Sequence, residues 1–566
     1  MTEATAIKET KAQRAERLKR ALNPWEAYEA IVRFARDGRD TIPPEWNTYF
    51  RWWGVYTQGD GAGVTGGSGG EGKSVPYFMV RLRIPNGILD AAQARSVAAL
   101  AERHGRGIVD MTVRQNVQLH WVTLEALPDV LESLRAAGLT TMGACGDVVR
   151  NVTGCPLAGV DADELIDASP LVAEVTALLN GHPAFYNLPR KFKVSIAGCR
   201  AWCAYPEIND VGLTAVRHPR SGEVGFSLRV GGGLSTDPHL ARRLDAFVRP
   251  GEVAAVVRGV AEVFRDTDVL REHREKARLK FLFLQHGWTA ARFQDALERR
   301  LGFALLPGVP EAPPREGVRD HLGVRPERHD GFYSVGVPVL RGRLRAGQLR
   351  AIADAAERHA SGRLRATAMQ NLLVLDVPSD GLAGVVRASA AAGLPLGVST
   401  FARGTVACTG TEFCKLALTE TKGFAERLVA ELQARLPGFD EHVAIHVTGC
   451  PNSCGQHWIA DIGLEGKKLK VDGRLVDAYY FCVGGAAGGH AAIARPVGYR
   501  VPAPDVAPAI ERLVRAYLAH RLPGERFRAF CARHDDVVLR ALLAGAELPA
   551  VERDPSPGPA PHVLES

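Results

Sequence analysis

The chain of 566 residues has no apolar run approaching the roughly 18–20 residues that a membrane span requires. Its first twenty residues, MTEATAIKETKAQRAERLKR, carry charge but none of the apolar stretch of a secretory signal. A membrane protein and a secreted one are therefore both disfavoured, and the cytoplasm is the expected compartment. Charge of one sign is also scarce: 70 Lys+Arg against 63 Asp+Glu leave +7. That is too little to name nucleic acid as a partner, although it suits an acidic protein or anionic ligands. A composition of 46% hydrophobic and 23% charged residues excludes a disordered chain. Ten cysteines without an export signal read as metal ligands or free thiols rather than disulfides.

What the chain does contain is a hidden duplication. Residues 89–119 align with 344–374 at a constant offset of 255, and 13 of the 31 positions are identical, including Gln115-Asn116 with Gln370-Asn371. Chance gives about two or three such matches. A second block aligns at offset 251, pairing Gly198-Cys199 with Gly449-Cys450 and Cys203 with Cys454. The period is long, so a short-repeat solenoid is excluded. Within copy one, Tyr77–Ile84 alternates, with Phe78, Val80, Leu82 and Ile84 on one face and Met79, Arg81 and Arg83 on the other. Asp90 to His104 reads as a helix capped by Asp90 and stopped at Gly105, and Val117, Leu119 and Trp121 resume a period of two. Copy two repeats the pattern from Tyr333 to Leu375.

The ends read differently. Residues 1 to about 20 are expected to be charged and loosely held, and the aromatic stretch 23–56 to wrap over another surface. Residues 58–74 are flexible by composition, and the tail from about Asp554 cannot build a core. Gly67-x4-Gly72-Lys73-Ser74 matches the phosphate-loop pattern, yet it follows more glycine-rich linker and precedes Val75-Pro76, which oppose a helix, so it reads as chance.

The strongest chemical signal is Cys408-x5-Cys414 followed by Cys450-x3-Cys454. An iron–sulfur cubane needs four thiolates from short loops converging on its corners, and Gly449, Pro451 and Gly455 keep the second loop turning. Buried cysteines acting as small hydrophobes and a structural zinc site are the competing readings. Five residues between Cys408 and Cys414 is wide for zinc, which favours spacings of two to four. Cys199 and Cys203 read as a vestigial echo of Cys450 and Cys454. A second cluster would need two more ligands, and only Cys155 is a nearby candidate.

Residues 407–422 (ACTGTEFCKLALTETK) and 448–463 (TGCPNSCGQHWIADIG) resemble the cluster segments of the sulfite/nitrite reductase family, siroheme enzymes with a [4Fe–4S] cluster. FMVRLRIPNG (78–87), TVRQNVQ (112–118), RNVTGCP (150–156) and LPRKFK (188–193) extend the likeness over roughly residues 45–525. The resemblance implies an α+β fold, internally duplicated. Two pseudo-symmetric ferredoxin-like half-domains (76–142 and 325–398) would join two siroheme/cluster-binding α/β domains (143–310 and 399–545), with 1–75 as a wrapping segment and 546–566 as a tail. It also implies Cys408, Cys414, Cys450 and Cys454 as cluster ligands, with Cys454 shared with the siroheme iron. Arg81, Arg150, Lys191 and Lys193 would be the catalytic cations, with Arg114, Thr112, Asn116, Gln118 and Asn452 at the cofactor.

The duplication then divides the labour. The counterparts of Arg81, Arg114, Arg150, Lys191 and Lys193 in copy two are Gly336, Met369, Val406, His442 and Ala444, none permanently charged, and copy one has Val152 and Ala158 where copy two has Cys408 and Cys414. One cofactor between two halves, with anion chemistry on one face and electron entry on the other, is the expected arrangement. No flavin or nicotinamide domain is evident, so reduced ferredoxin is the expected donor. Six-electron reduction of sulfite to sulfide is the leading reading and of nitrite to ammonia the alternative, because nitrite reductases of the family often carry Asn where Lys193 stands. A zinc-stapled, non-enzymatic binding protein is the remote alternative.

Overall fold

A computed structural model describes residues 9–58, 77–311 and 319–548. The phosphate-loop match, most of the glycine-rich stretch and the tail lie outside these residues. Four five-stranded sheets form in two pseudo-equivalent pairs. The first runs Val55–Thr57, Tyr77–Leu82, Val117–Thr123, Ile108–Met111, Arg343–Arg345. Its counterpart runs Gly323–Pro326, Phe332–Val337, Leu372–Pro378, Arg363–Ala366, Ile88–Asp90. Each sheet thus takes its last strand from the other copy, with Arg343 opposite Asp110 and Arg363 opposite Asp90. The helices Ala91–His104 and Ala346–His359 cover these sheets, and one core holds Val80, Leu119, Val97, Val335, Val374 and Ile352 together. The two half-domains expected at 76–142 and 325–398 share one hydrophobic interior.

The local signals behave alike in both copies. Asp90 caps its helix reciprocally with Gln93, and in copy two Gln348 caps Arg345 by the same backbone bond (2.9 Å). Gln115 bonds both Gly154 and the Ala366 carbonyl, while Gln370 bonds both Ala407 and the Met111 carbonyl. The identical Gln-Asn pairs therefore stitch each hairpin turn to the opposite copy. The period-two reading of Trp121 is corrected. Phe78 lies opposite Val122 but Val80 opposite Leu119, and Trp121 is the extra residue of a bulge with φ +57°. Asp376 repeats the bulge at φ +53° in copy two.

The other two sheets each open with three parallel strands and finish antiparallel. Cys408 follows the strand Thr405–Ala407, and Cys450 follows Ile445–Thr448. Cysteine loops thus leave the carboxyl ends of parallel strands, where open sheets place their ligands.

The expectation of a loosely held amino terminus is corrected for residues 9–20. Thr10 and Gln13 form a capping box for the helix Lys11–Ala21, and Leu18 packs with Ala27 and Tyr49. Lys19 is buried and donates to the Leu188 carbonyl (2.9 Å) beside Asp147. An amphipathic face with one buried cation fixes this segment against residues 147–188. In the aromatic stretch, Phe34 and Phe50 enter the shared core and the Trp52 indole donates to the Tyr186 carbonyl.

Candidate active site

The four thiols of copy two lie in electrostatic reach of one another. Burial pushes Cys414 and Cys450 up to about 12 and also raises Cys408, and in each case the Cys454 sulfur adds to the rise. Three thiols held in the protonated form by burial and by their sulfur neighbours are what a metal centre relieves, because it binds the deprotonated form. Their loop is set by close backbone approaches. A Cβ at Gly455 would stand 2.3 Å from the Val447 carbonyl oxygen, and Gly410 adopts φ +66° with no room beside Thr421. The Gly449 N–H donates to Cys408 Sγ (3.2 Å) and the Asn452 amide to Cys450 Sγ (3.5 Å). Such donors stabilise a thiolate and tune a cluster.

Behind the loop lies a network that sequence reasoning missed. Asp110 is fully buried and accepts from His120 Nε2 (3.0 Å) and from Arg343 Nε and Nη2 (2.8 and 3.0 Å), with the Lys422 ammonium 3.7 Å away. His120 stacks on Phe413 at 3.9 Å, and Arg343 also holds Glu412 at 2.9 Å. A charge from copy one therefore braces the very loop that carries Cys408 and Cys414. These residues are far apart in sequence and show no shared motif.

The cations of copy one approach the same thiols. Arg81 is pushed down to about 10 by burial and by Arg150, against the pull of Cys454 and Cys414. Lys191 is pushed down to about 7 by burial, Arg190 and Arg278, again with Cys454 opposing. Lys193 falls well below the lysine range through burial, Arg114, Lys191 and Arg278. Phe192, Val194 and Ile196 fill the core on the opposite face, so the alternation read from the sequence sets both ammoniums toward one side. Arg114 is lowered to about 9 by burial and Arg150, and donates to Asn209 Oδ1 (2.8 Å) and the Val194 carbonyl. Arg150 Nε donates to the Gly146 carbonyl (3.0 Å).

Among the described residues, none of Arg81, Arg114, Arg150, Lys191 and Lys193 forms an ion pair, and the Nε atoms of Arg81 and Arg114 are buried without a partner. Buried cations that repel one another and lack carboxylates fit a polyanionic macrocycle and an anionic substrate. Arg83, missed as a site residue, is also buried and unpaired, and it donates to the Val149 carbonyl (3.3 Å) at the root of the Arg150 loop. Arg278 was missed too. It pairs with Asp210 (2.8 Å), whose carboxylate also accepts the Lys193 backbone N–H (2.8 Å) and so fixes the strand.

The remaining expected cofactor contacts have other partners. Thr112 Oγ1 accepts from the Arg114 and Asn116 backbones, and Asn116 Oδ1 accepts from the Ile84 N–H (3.2 Å). Asn371 repeats that bond with Val339 in copy two, so these side chains build the turn that presents Arg114. Gln118 is buried, with its amide 3.3 Å from Met79 Sδ.

The pseudo-equivalent cleft is closed. Gly336 stands where copy one has Arg81, and a Cβ there would lie 1.9 Å from the His321 carbonyl oxygen, so backbone 321–322 fills the space. Leu373 and Leu375, counterparts of Gln118 and His120, pack there against Cys155, Cys199 and Cys203.

Two family models match the chain: the nitrite and sulphite reductase 4Fe-4S domain over residues 145–305 and 399–547, and the nitrite/sulfite reductase ferredoxin-like half domain over 71–137 and 325–392. An assimilatory ferredoxin-dependent nitrite reductase of Haloferax mediterranei is 40% identical over 526 residues, covering 88% of this chain and 87% of that protein. A sulfite reductase [ferredoxin] of Mycobacterium tuberculosis is 38% identical over 537 residues, covering 93% of this chain and 95% of that one. The solved structure of the Mycobacterium tuberculosis NirA protein superposes with a TM-score of 0.88 at 38% identity, covering 93% of this chain and 97% of that one. The cysteine loops of one copy, the unpaired cations of the other and these matches agree: the chain belongs to the nitrite and sulphite reductase family, oxidoreductases that carry siroheme and a [4Fe–4S] cluster.

Proposed function

We propose that the protein is an assimilatory, cytoplasmic, ferredoxin-dependent reductase that converts sulfite to sulfide, with Cys408, Cys414, Cys450 and Cys454 holding the cluster and Cys454 also meeting the siroheme iron. The observation that carries the substrate choice is the pair Lys191 and Lys193, both buried among cations and without an ion pair among the described residues. Siroheme coupled to the cluster supplies a metal that holds the substrate while electrons arrive one at a time. Arg81 and Arg150 clamp the anion through their guanidiniums. Lys191, poised near neutrality by its neighbours, gives up a proton to a departing oxygen and is recharged from solvent. Burial, Arg114 and Lys191 push the Lys193 ammonium well below the usual lysine range, and a dianion beside it favours the charged form more than a monoanion does, which suits sulfite. The modest excess of basic residues suits an acidic ferredoxin as the donor. Nitrite reduction with the same machinery is the second reading, since relatives named for each substrate match the chain.

The deciding experiment is kcat/KM for sulfite and for nitrite with reduced ferredoxin, in the wild type and in Lys193→Asn. A wild-type preference for sulfite that shifts toward nitrite in the variant supports the reading. An unchanged ratio removes the role of Lys193 in choosing the substrate.

A further inference from the structure

Copy one retains a thiol group that the reduction does not use. The sulfurs of Cys155, Cys199 and Cys203 all lie within 4.8 Å of one another, with Cys199 and Cys203 at 3.5 Å. Around a tetrahedral zinc ion with bonds of about 2.3 Å, neighbouring sulfurs stand about 3.8 Å apart. The spacing here suits one ion. A cubane needs its sulfurs outside four separate irons, and Val152 and Ala158 stand where Cys408 and Cys414 supply two of its ligands.

The loop also keeps the backbone of its metal-binding counterpart. Trp202 and Tyr205 adopt φ +55° and +51°, and their equivalents Ser453 and Gln456 in the cluster loop adopt +55° and +62°. Left-handed backbone at bulky side chains is costly, so its retention at both positions preserves a fold that turns sulfurs inward. The expectation of a two-cysteine relic is thereby extended, because Cys155 closes the group from the end of the strand Thr153–Gly154.

Three neighbours point the same way. Arg365 is buried, forms no ion pair among the described residues, and leaves Nε without a partner while lying in reach of Cys155. Arg319, held by Asp161 at 2.8 Å, also feels Cys203 and Cys155. An anionic metal–thiolate centre compensates the Arg365 guanidinium and adds to the Asp161 carboxylate at Arg319, whereas three neutral thiols do neither. His321 is 3% exposed, its two ring nitrogens have no partner, and it lies in electrostatic reach of Cys199. Its nitrogens fall outside the tight sulfur group, so ligation by His321 requires its side chain to rotate toward the fourth corner.

We propose that Cys155, Cys199 and Cys203, completed by His321, form a structural site for a single zinc ion at the pseudo-symmetric counterpart of the iron–sulfur centre. The ion locks the arm 319–322 into the closed cleft, so the second half-site stays shut while the first remains open to cofactor.

The test uses the holoenzyme from zinc-supplemented cells, passed over a chelating resin. Elemental analysis is expected to give one zinc per chain beside the iron, and zinc-edge X-ray absorption a shell of three sulfurs at about 2.3 Å. Cys199→Ser is expected to lose the zinc and keep the iron content and visible spectrum. His321→Gln is expected to bind zinc at least tenfold more weakly, and unchanged affinity would remove His321 as the fourth ligand. Wild-type protein without zinc, zinc with only nitrogen or oxygen neighbours, or a Cys199–Cys203 disulfide by mass spectrometry would each overturn the site. Because the X-ray measurement is made on the wild type, it decides the matter even if a variant fails to fold.

Discussion

Lys191 offers the sharpest test of how the cation ring works. Burial, Arg190 and Arg278 bring its ammonium down to about 7, and anionic ligands can only move it upward again. At a pKa of about 7, roughly nine-tenths of the side chain is protonated at pH 6 and one-tenth at pH 8. If Lys191 delivers protons, kcat at saturating sulfite falls about tenfold across two pH units centred on that limb. The sign follows from the role: the protonated form is the active one, so activity is lost as pH rises. Lys191→Arg keeps the charge but stays protonated throughout, so its rate is lower yet lacks this limb. Sulfite itself titrates near neutrality, so the proper readout is the ratio of variant to wild-type kcat, in which the substrate's titration cancels. Measured from pH 6 to pH 8 with reduced ferredoxin, that ratio is expected to climb about tenfold. Lys191→Gln, which can neither donate as an acid nor carry charge, is expected to lose about 10²–10⁴ in kcat. Parallel profiles for wild type and Lys191→Arg would refute the proton-donor role and leave Lys191 an electrostatic contact only.

Other outcomes follow from the same geometry. Cys454→Ser is expected to abolish reduction and the cofactor absorption together, and a coloured, active variant would contradict the ligand assignment. Asp110→Asn leaves Lys422 buried without its carboxylate and Arg343 with Glu412 alone, at a cost of about 3–5 kcal/mol. Thermal melting of the holoenzyme should show the loss, and a wild-type melting temperature would remove Asp110 as the brace of the cysteine loop. Gln115→Ala and Gln370→Ala should each destabilise by about 1–3 kcal/mol and by similar amounts, since each leaves the equivalent backbone groups unpaired. Denaturation of the two variants checks this, and a large inequality would break the equivalence of the two turns.

Much of this arrangement was legible in the residues, and the reasons are physical. Asp90, Gln93 and Gly105 mark a helix because capping is local, and the offset of 255 carries that helix into copy two. The division between cations and thiolates took the family resemblance to pick out the cations and alignment of the copies to show their absence from copy two. The exchanged strands were not legible, because Ile88–Asp90 and Arg343–Arg345 are three residues long and too short for a period to show. Nor was the bulge at Trp121, where an aromatic residue takes a left-handed backbone without glycine to announce it. The Asp110 network and the meeting of Cys155 with Cys199 are tertiary facts, built from residues dozens to hundreds of positions apart. Lys19 lies in the segment read as charged and loosely held, because sequence cannot show a carboxylate such as Asp147 arriving from far along the chain.

Iron anomalous scattering from crystals of the loaded enzyme tests the central claim most directly. The account predicts four irons within the group Cys408, Cys414, Cys450 and Cys454, and a fifth beyond the Cys454 sulfur on the side of Arg81 and Lys191. A fifth iron on any other side, or no iron within that cysteine group, would contradict it.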